Sequence, residues 1–105
     1  MQGTLDVLIL KALSWVPRHG YAVARWIEET SGSIQVLDGA LYTSLHRMQL
    51  RGWISSSWGI SDKGRRARFY ALTPAGRKQL SAETAEWGAY AAAVGRVLKA
   101  TTHRA

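Results

Sequence analysis

Apolar residues recur at helical spacing from the start of the chain: Leu5, Leu8, Ile9, Ala12 and Leu13. Val7 and Leu10 are apolar as well. The first helix is therefore greasy on more than one face, and either the fold buries it deeply or a partner covers its second face. Thr4 is placed to cap this helix, Asp6 sits in its first turn where the dipole favours an anion, and Pro17 ends it. Pro17-Arg18-His19-Gly20 reads as a turn. A second helix follows over 21–30, with Tyr21, Val23, Ala24 and Ile27 on its core side and Arg25, Glu28 and Glu29 in water. Gly32 then stops it as a C′ residue. In the third helix, capped by Asp38, the stripe Leu41, Leu45, Met48 is the buried face. Gly39, Thr43, His46 and Arg47 turn away from that stripe, Tyr42 lies on its flank, and Leu50 also points outward before Gly52 ends the helix.

The period then changes. Residues 53–58 and 67–72 alternate as strands do, joined by a basic, glycine-containing loop over 59–66. Helix, strand, basic loop, strand is the shape of a winged helix. A last helix starts at Thr73, a cap, with Pro74 at the first helical position, where no N–H is missed. Along it Leu80, Thr84, Trp87, Ala91, Val94 and Leu98 recur with a near-heptad spacing. A winged helix does not need so long an amphipathic tail to close its core. Pairing with a second copy is the expected use, ahead of packing back onto the first helix. The fold class is thus mainly α with a two-stranded β wing: a winged helix-turn-helix over 1–73 and a C-terminal dimerisation helix over 74–105, forming one domain.

Charge sharpens this picture. The chain of 105 residues carries a net charge of +7. Arg47, Arg51, Lys63, Arg65, Arg66, Arg68, Arg77 and Lys78 fall in one window that contains a single acid, Asp62, while basic and acidic residues balance elsewhere. Such a segment asks for a polyanion, most often nucleic acid. The outward face of the third helix is small and polar near its start, as a helix entering a DNA major groove needs to be. Gly39, Thr43, His46 and Arg47 are the candidate base contacts, and Tyr42, Lys63, Arg65, Arg66 and Arg68 the candidate backbone contacts.

Enzyme chemistry is not legible. His19, His46 and His103 lack a partner at metal-ligand spacing, there is no cysteine and no phosphate-binding glycine loop, and the acids are scattered. No cofactor or metal is expected. The absence of a membrane-length apolar run and of a signal peptide makes the cytoplasm the expected compartment.

Several fragments together resemble the PadR family of transcriptional regulators. They are Gly3-Thr4-Leu5-Asp6, His19-Gly20-Tyr21-Ala22, Gly39-Ala40-Leu41-Tyr42 with Leu45-His46-Arg47-Met48, and Gly52-Trp53-Ile54. The series continues through Gly64-Arg65-Arg66-Ala67-Arg68-Phe69-Tyr70 and Leu72-Thr73-Pro74-Ala75-Gly76. Their order and spacing cover nearly the whole chain. The resemblance implies a repressor that binds a palindromic operator as a homodimer. It implies that the third helix reads the major groove, the wing touches the flanking backbone, and Tyr42 contacts phosphate. The last helix, helped by the first, would make the dimer, in the manner of the short-tailed branch. Two positions depart from the family pattern: Thr43, where proline is frequent, and Leu50, where a polar residue is usual. Some relatives bind flat aromatic molecules between tryptophans, which makes Trp15 and Trp87 a candidate pocket for a small aromatic effector, although packing is the plainer expectation for both. The rival reading from another class is a protein–protein assembly module whose basic wing meets an acidic partner.

Overall fold

The computed structural model describes residues 3–103. The elements run α1 (Thr4–Ala12), β1 (Arg18–His19), α2 (Gly20–Ser31), α3 (Asp38–Leu50), β2 (Ile54–Ile60), β3 (Arg66–Leu72) and α4 (Pro74–Leu98). The outermost residues of the expected segments 1–73 and 74–105 lie outside the described residues. Ile9, Leu10, Ala12 and Leu13 of α1 meet Val23, Ala24 and Ile27 of α2 and Leu41, Leu45 and Met48 of α3 in one core, closed by Val36, Ile54 and Tyr70. The apolar surplus of α1 has its explanation here: α1 packs against α2, α3 and α4.

The local signals that differ from expectation do so for identifiable reasons. Gly3, not Thr4, occupies the N-cap position of α1, in a left-handed conformation (φ 83°) and without a side-chain cap bond. The helix ends at Ala12, short of Pro17, with the Ser14 hydroxyl donating to the Lys11 carbonyl at 2.7 Å. The stretch expected to be a plain turn contains β1, which pairs antiparallel with β3 (Arg18 opposite Tyr70, His19 opposite Phe69) and makes the sheet three-stranded in the order β1-β3-β2. His19 also caps α2, its Nδ1 accepting from the Ala22 N–H at 3.3 Å. Tyr21 is exposed rather than in the core, and Gly20 is buried at the start of α2. A Cβ on Gly20 would fall 2.6 Å from the Tyr42 hydroxyl, so the tyrosine of α3 fills the space that a side chain there would need.

Leu37, one residue before Asp38, occupies the N-cap position of α3 without a side-chain cap bond, and Ser44 joins Leu41, Leu45 and Met48 on its buried face. The wing strands are longer than the alternation suggests. They pair from Ile54 opposite Leu72 to Ile60 opposite Arg66, leaving a connecting loop over 61–65. That loop is closed by the Ser61 N–H to the Arg65 carbonyl (2.8 Å) and the Gly64 N–H to the Ser61 carbonyl (2.9 Å). Arg66 therefore belongs to strand β3 and not to a flexible loop.

Thr73 caps α4 as its sequence position predicts, accepting from the Gly76 N–H at 3.0 Å, with Pro74 opening the helix. The Thr73 hydroxyl also donates to the Gly52 carbonyl at 2.6 Å. A Cβ on Gly76 would lie 2.0 Å from the Trp53 carbonyl oxygen, so only glycine lets α4 start this close to the corner between α3 and β2. The first half of α4 packs on α1, and its second half leaves the body of the protein. The extents are 61 × 27 × 23 Å and the radius of gyration is 16.4 Å, where a compact chain of this size would have about 13 Å. The result is a winged helix-turn-helix of mainly α structure, with β2 and β3 as the wing and one long C-terminal helix. Among the described residues, no helix is long and apolar enough to cross a membrane.

Candidate nucleic-acid interface

Helix α3 has three kinds of surface. Leu41, Ser44, Leu45 and Met48 face the core. The opposite face carries Gly39, Thr43, His46 and Leu50, all exposed. The two flanks are held. On one, the half-exposed Tyr42 lies against Gly20 at the start of α2. On the other, Arg47 donates to Asp6 of α1 at 2.5 Å, and Asp6 is itself buried. Asp6 keeps its expected place in the first turn of α1 and is buried there as the partner of a cation. The Arg47 guanidinium, expected on the outward face, is held towards α1 by a carboxylate with almost no water around it.

Between α3 and the sheet lies a groove of ≈ 290 Å³ lined by Tyr42, His46, Gln49 and Leu50 on one side and Arg68 and Tyr70 on the other. Burial pushes the Tyr70 phenol above its usual pKa of 10.0, the Arg68 charge pulls it back, and nearby Tyr42 adds to the rise. Tyr70 therefore stays neutral and hydroxyl-bearing at physiological pH.

The eight cations that cluster in sequence separate in space. Arg47 is on Asp6, Arg51 stacks over Trp53 (5.2 Å to the ring centroid), Arg77 donates to the Ser14 carbonyl at 3.2 Å, and Lys78 is exposed on α4. Lys63, Arg65, Arg66 and Arg68 remain together on the wing, all exposed. Lys63 leans over the Tyr21 ring, 5.8 Å from its centroid, joining the wing loop to the start of α2. Arg68 donates to the Ser56 hydroxyl at 3.0 Å and lies over Trp58, as does Arg66. Trp58 and Tyr21 are thus part of the basic surface, although charge counting passes over both. The strand alternation does carry a signal for Trp58, but pairing it with the arginines requires the cross-strand register, which depends on the length of the wing loop.

The expected seam of α4 splits in two. Leu80 packs against the core of its own chain and Trp87 is partly buried, whereas Ala91, Val94 and Leu98 are exposed, Leu98 at 78%. Leu80, Thr84 and Trp87 line an apolar groove of ≈ 450 Å³ with Thr4, Val7, Leu8 and Lys11 of α1 and Ile34. Trp15 does not line this groove. It packs on Trp26 (ring centroids 5.5 Å apart) with the Lys11 ammonium 4.7 Å from its ring. One chain therefore does not bring Trp15 and Trp87 together. Trp87 instead meets Tyr90 edge-on at 5.9 Å, and its Nε1 is buried without a hydrogen-bond partner among the described residues, as is Oε2 of Glu83. Among the described residues, no group of His, Cys, Asp and Glu side chains could hold a metal ion.

Comparison with known proteins agrees with this geometry. The family model described as the transcriptional regulator PadR-like family matches residues 9–82. A PadR-like transcriptional regulator from Bacillus cereus has a similar structure, with 26% identity, a TM-score of 0.81, and 94% of this chain and 95% of that one covered. A PadR family transcription regulator from Clostridium difficile is 28% identical with a TM-score of 0.78, over 91% of this chain and 99% of that one. An uncharacterized protein from Lysinibacillus sphaericus is 32% identical, over 83% of this chain and 81% of its own length. The two solved neighbours are regulators of transcription, not enzymes.

Proposed function

The chain belongs to the PadR-like family of transcriptional regulators, and from that premise we propose that it is a homodimeric repressor that recognises a palindromic DNA operator. One observation carries the reading: the uncovered face Gly39, Thr43 and His46 of α3 stands beside a wing whose arginines have no acidic partner among the described residues. In this reading α3 enters the major groove and these residues meet base edges, Gly39 by letting the backbone come close. Thr43 and His46 supply hydrogen-bonding groups. Tyr42, Lys63, Arg65, Arg66 and Arg68 hold the phosphates on either side, which fixes the register and supplies most of the salt-dependent affinity. Arg47 acts from behind the reading face, as the anchor of α3 on α1.

The segment 1–73 binds DNA and 74–105 pairs the chains. The exposed Ala91, Val94 and Leu98, together with Val97, support pairing, because a helix half with no core of its own has an apolar side left to cover. Two recognition helices held by such a pair would meet half-sites about 34 Å apart. Bound across a promoter, the dimer would exclude polymerase, acting in the compartment that holds the DNA, the cytoplasm. A flat aromatic effector would enter the groove beside Trp87, whose partly buried indole and apolar neighbours suit one. Trp15 would take part only if the second copy brings it close.

Selection of bound duplexes from a random pool tests the central claim. A palindrome with half-sites one helical turn apart is the expected outcome. Weak binding that moderate salt erases, with no enriched sequence, would leave the basic wing to an acidic protein partner instead. Sedimentation analysis at micromolar concentration tests the dimer, and a promoter–reporter fusion tests repression.

A further inference from the structure

Trp58 sits in the middle of β2 with 56% of its surface in water, and Ile60, two residues along on the same face of the strand, is 67% exposed. The register puts Arg68 directly opposite Trp58 and Arg66 opposite Ile60. The guanidinium of Arg66 lies 4.4 Å from the indole centroid and that of Arg68 5.4 Å. One face of the wing therefore presents an apolar strip bordered by two stacked arginines. Nothing among the described residues covers it.

That combination is chemically selective. An acidic peptide would satisfy the arginines and leave the tryptophan and isoleucine without a purpose. The minor groove of DNA offers both halves of the match, with C–H-rich deoxyribose walls and phosphate rows running alongside them. A stacked guanidinium has fewer conformations to lose when it meets a phosphate, so the ring also pre-sets the arginines for their contacts. We propose that Trp58 is a DNA-contacting residue: its indole, with Ile60, lies against the deoxyribose wall of the minor groove beside the site of α3 and aims Arg66 and Arg68 at the flanking phosphates. This rests on the DNA-binding reading above and adds to it a residue outside both the recognition helix and the set of cations.

The test uses the full-length protein and the duplex recovered by random-pool selection. Trp58→Phe keeps a flat ring, Trp58→Ser removes it, and Arg66→Lys keeps the charge while losing the planar group that stacks. Trp58→Ser is expected to weaken binding roughly tenfold, the sum of lost packing and two exposed cation–π contacts. The slope of log affinity against log salt should shrink by about one unit, as phosphate contacts lose their alignment. Trp58→Phe should stay within about threefold of the parent, and Arg66→Lys should lose severalfold with its charge intact. Melting curves of all three should match the parent, because the ring is largely in solvent. Parental affinity and salt slope in Trp58→Ser would overturn the proposal, and so would loss of affinity with an unchanged slope. If the parent protein itself selects no sequence, the DNA-binding reading fails first, before any variant is compared.

Discussion

The ion pair between Asp6 and Arg47 allows the assignment of Arg47 to be tested by stability as well as by binding. The two residues are far apart in sequence, and their contact ties α1 to the recognition helix. Arg47→Met removes the charge while keeping much of the side-chain stem. It leaves the Asp6 carboxylate, 5% exposed, without an opposite charge. Breaking a fully buried pair in this way costs about 3–5 kcal/mol. The Arg47 side chain is 39% exposed, so water offsets part of that loss. A cost of about 2–3 kcal/mol is therefore expected, between the full penalty and that of a charged hydrogen bond. For a domain of this size that lowers Tm by about 10 °C. Asp6→Asn combined with Arg47→Met removes the stranded charge and should recover part of the loss, a coupling of about 1–2 kcal/mol. Thermal and urea melts at one fixed protein concentration measure this, since the proposed pairing of chains would make Tm concentration-dependent. DNA binding by Arg47→Met should weaken for all sequences together, through misplacement of α3. A Tm unchanged within a degree or two, with discrimination lost at a single base pair, would refute the reasoning and return Arg47 to the reading face.

Gly20→Ala puts a methyl group where the Tyr42 ring lies. Displacement of Tyr42 should lower affinity severalfold for every sequence alike in a fluorescence-anisotropy titration. Arg65→Ala and Arg66→Ala should each flatten the salt dependence by about one unit without altering the preferred sequence. Loss at only one base pair would mean the wing reads bases. Val94→Asp with Leu98→Glu places charges on the uncovered half of α4 and should convert the proposed dimer to monomer in sedimentation, with loss of operator binding and little change in secondary structure. A panel of planar aromatic cations should quench the tryptophan fluorescence of the parent but not in the same way that of Trp87→Ala. Identical quenching in both would remove the effector groove beside Trp87.

The parts of this structure that local chemistry decides could be read from the residues directly. The Leu41, Leu45, Met48 stripe, the stop at Gly32 and the Thr73-Pro74 start of α4 each depend on neighbours a few positions away. What could not be read depends on pairing between distant segments. Strand β1 is too short to show a period, and it exists because β3 offers it partners. The length of the wing and the stacking on Trp58 follow from a register that the glycine-containing loop leaves open. Asp6 and Arg47 each look like an ordinary surface charge until the fold brings them together, and that contact ties one of the four candidate base contacts to α1. The heptad-like seam of α4 was visible as a pattern, but its division between α1 of the same chain and open solvent follows from where α4 leaves the body.

In the proposed dimer, the close approach of Gly76 to the Trp53 carbonyl would govern which operator spacings are tolerated. The helix proposed to join two copies starts against the very corner that ends α3 and begins the wing, with no slack residue between them. Such a joint transmits orientation as well as distance. An inserted base pair between half-sites moves the second site by about 3.4 Å and also turns it by about 35° around the duplex axis. A hinged arm would absorb that rotation; this one has to strain or twist the DNA. Operator variants differing by one base pair of spacer should therefore be punished more heavily than the added length alone suggests, and the phase of the two half-sites would be part of what the proposed dimer recognises.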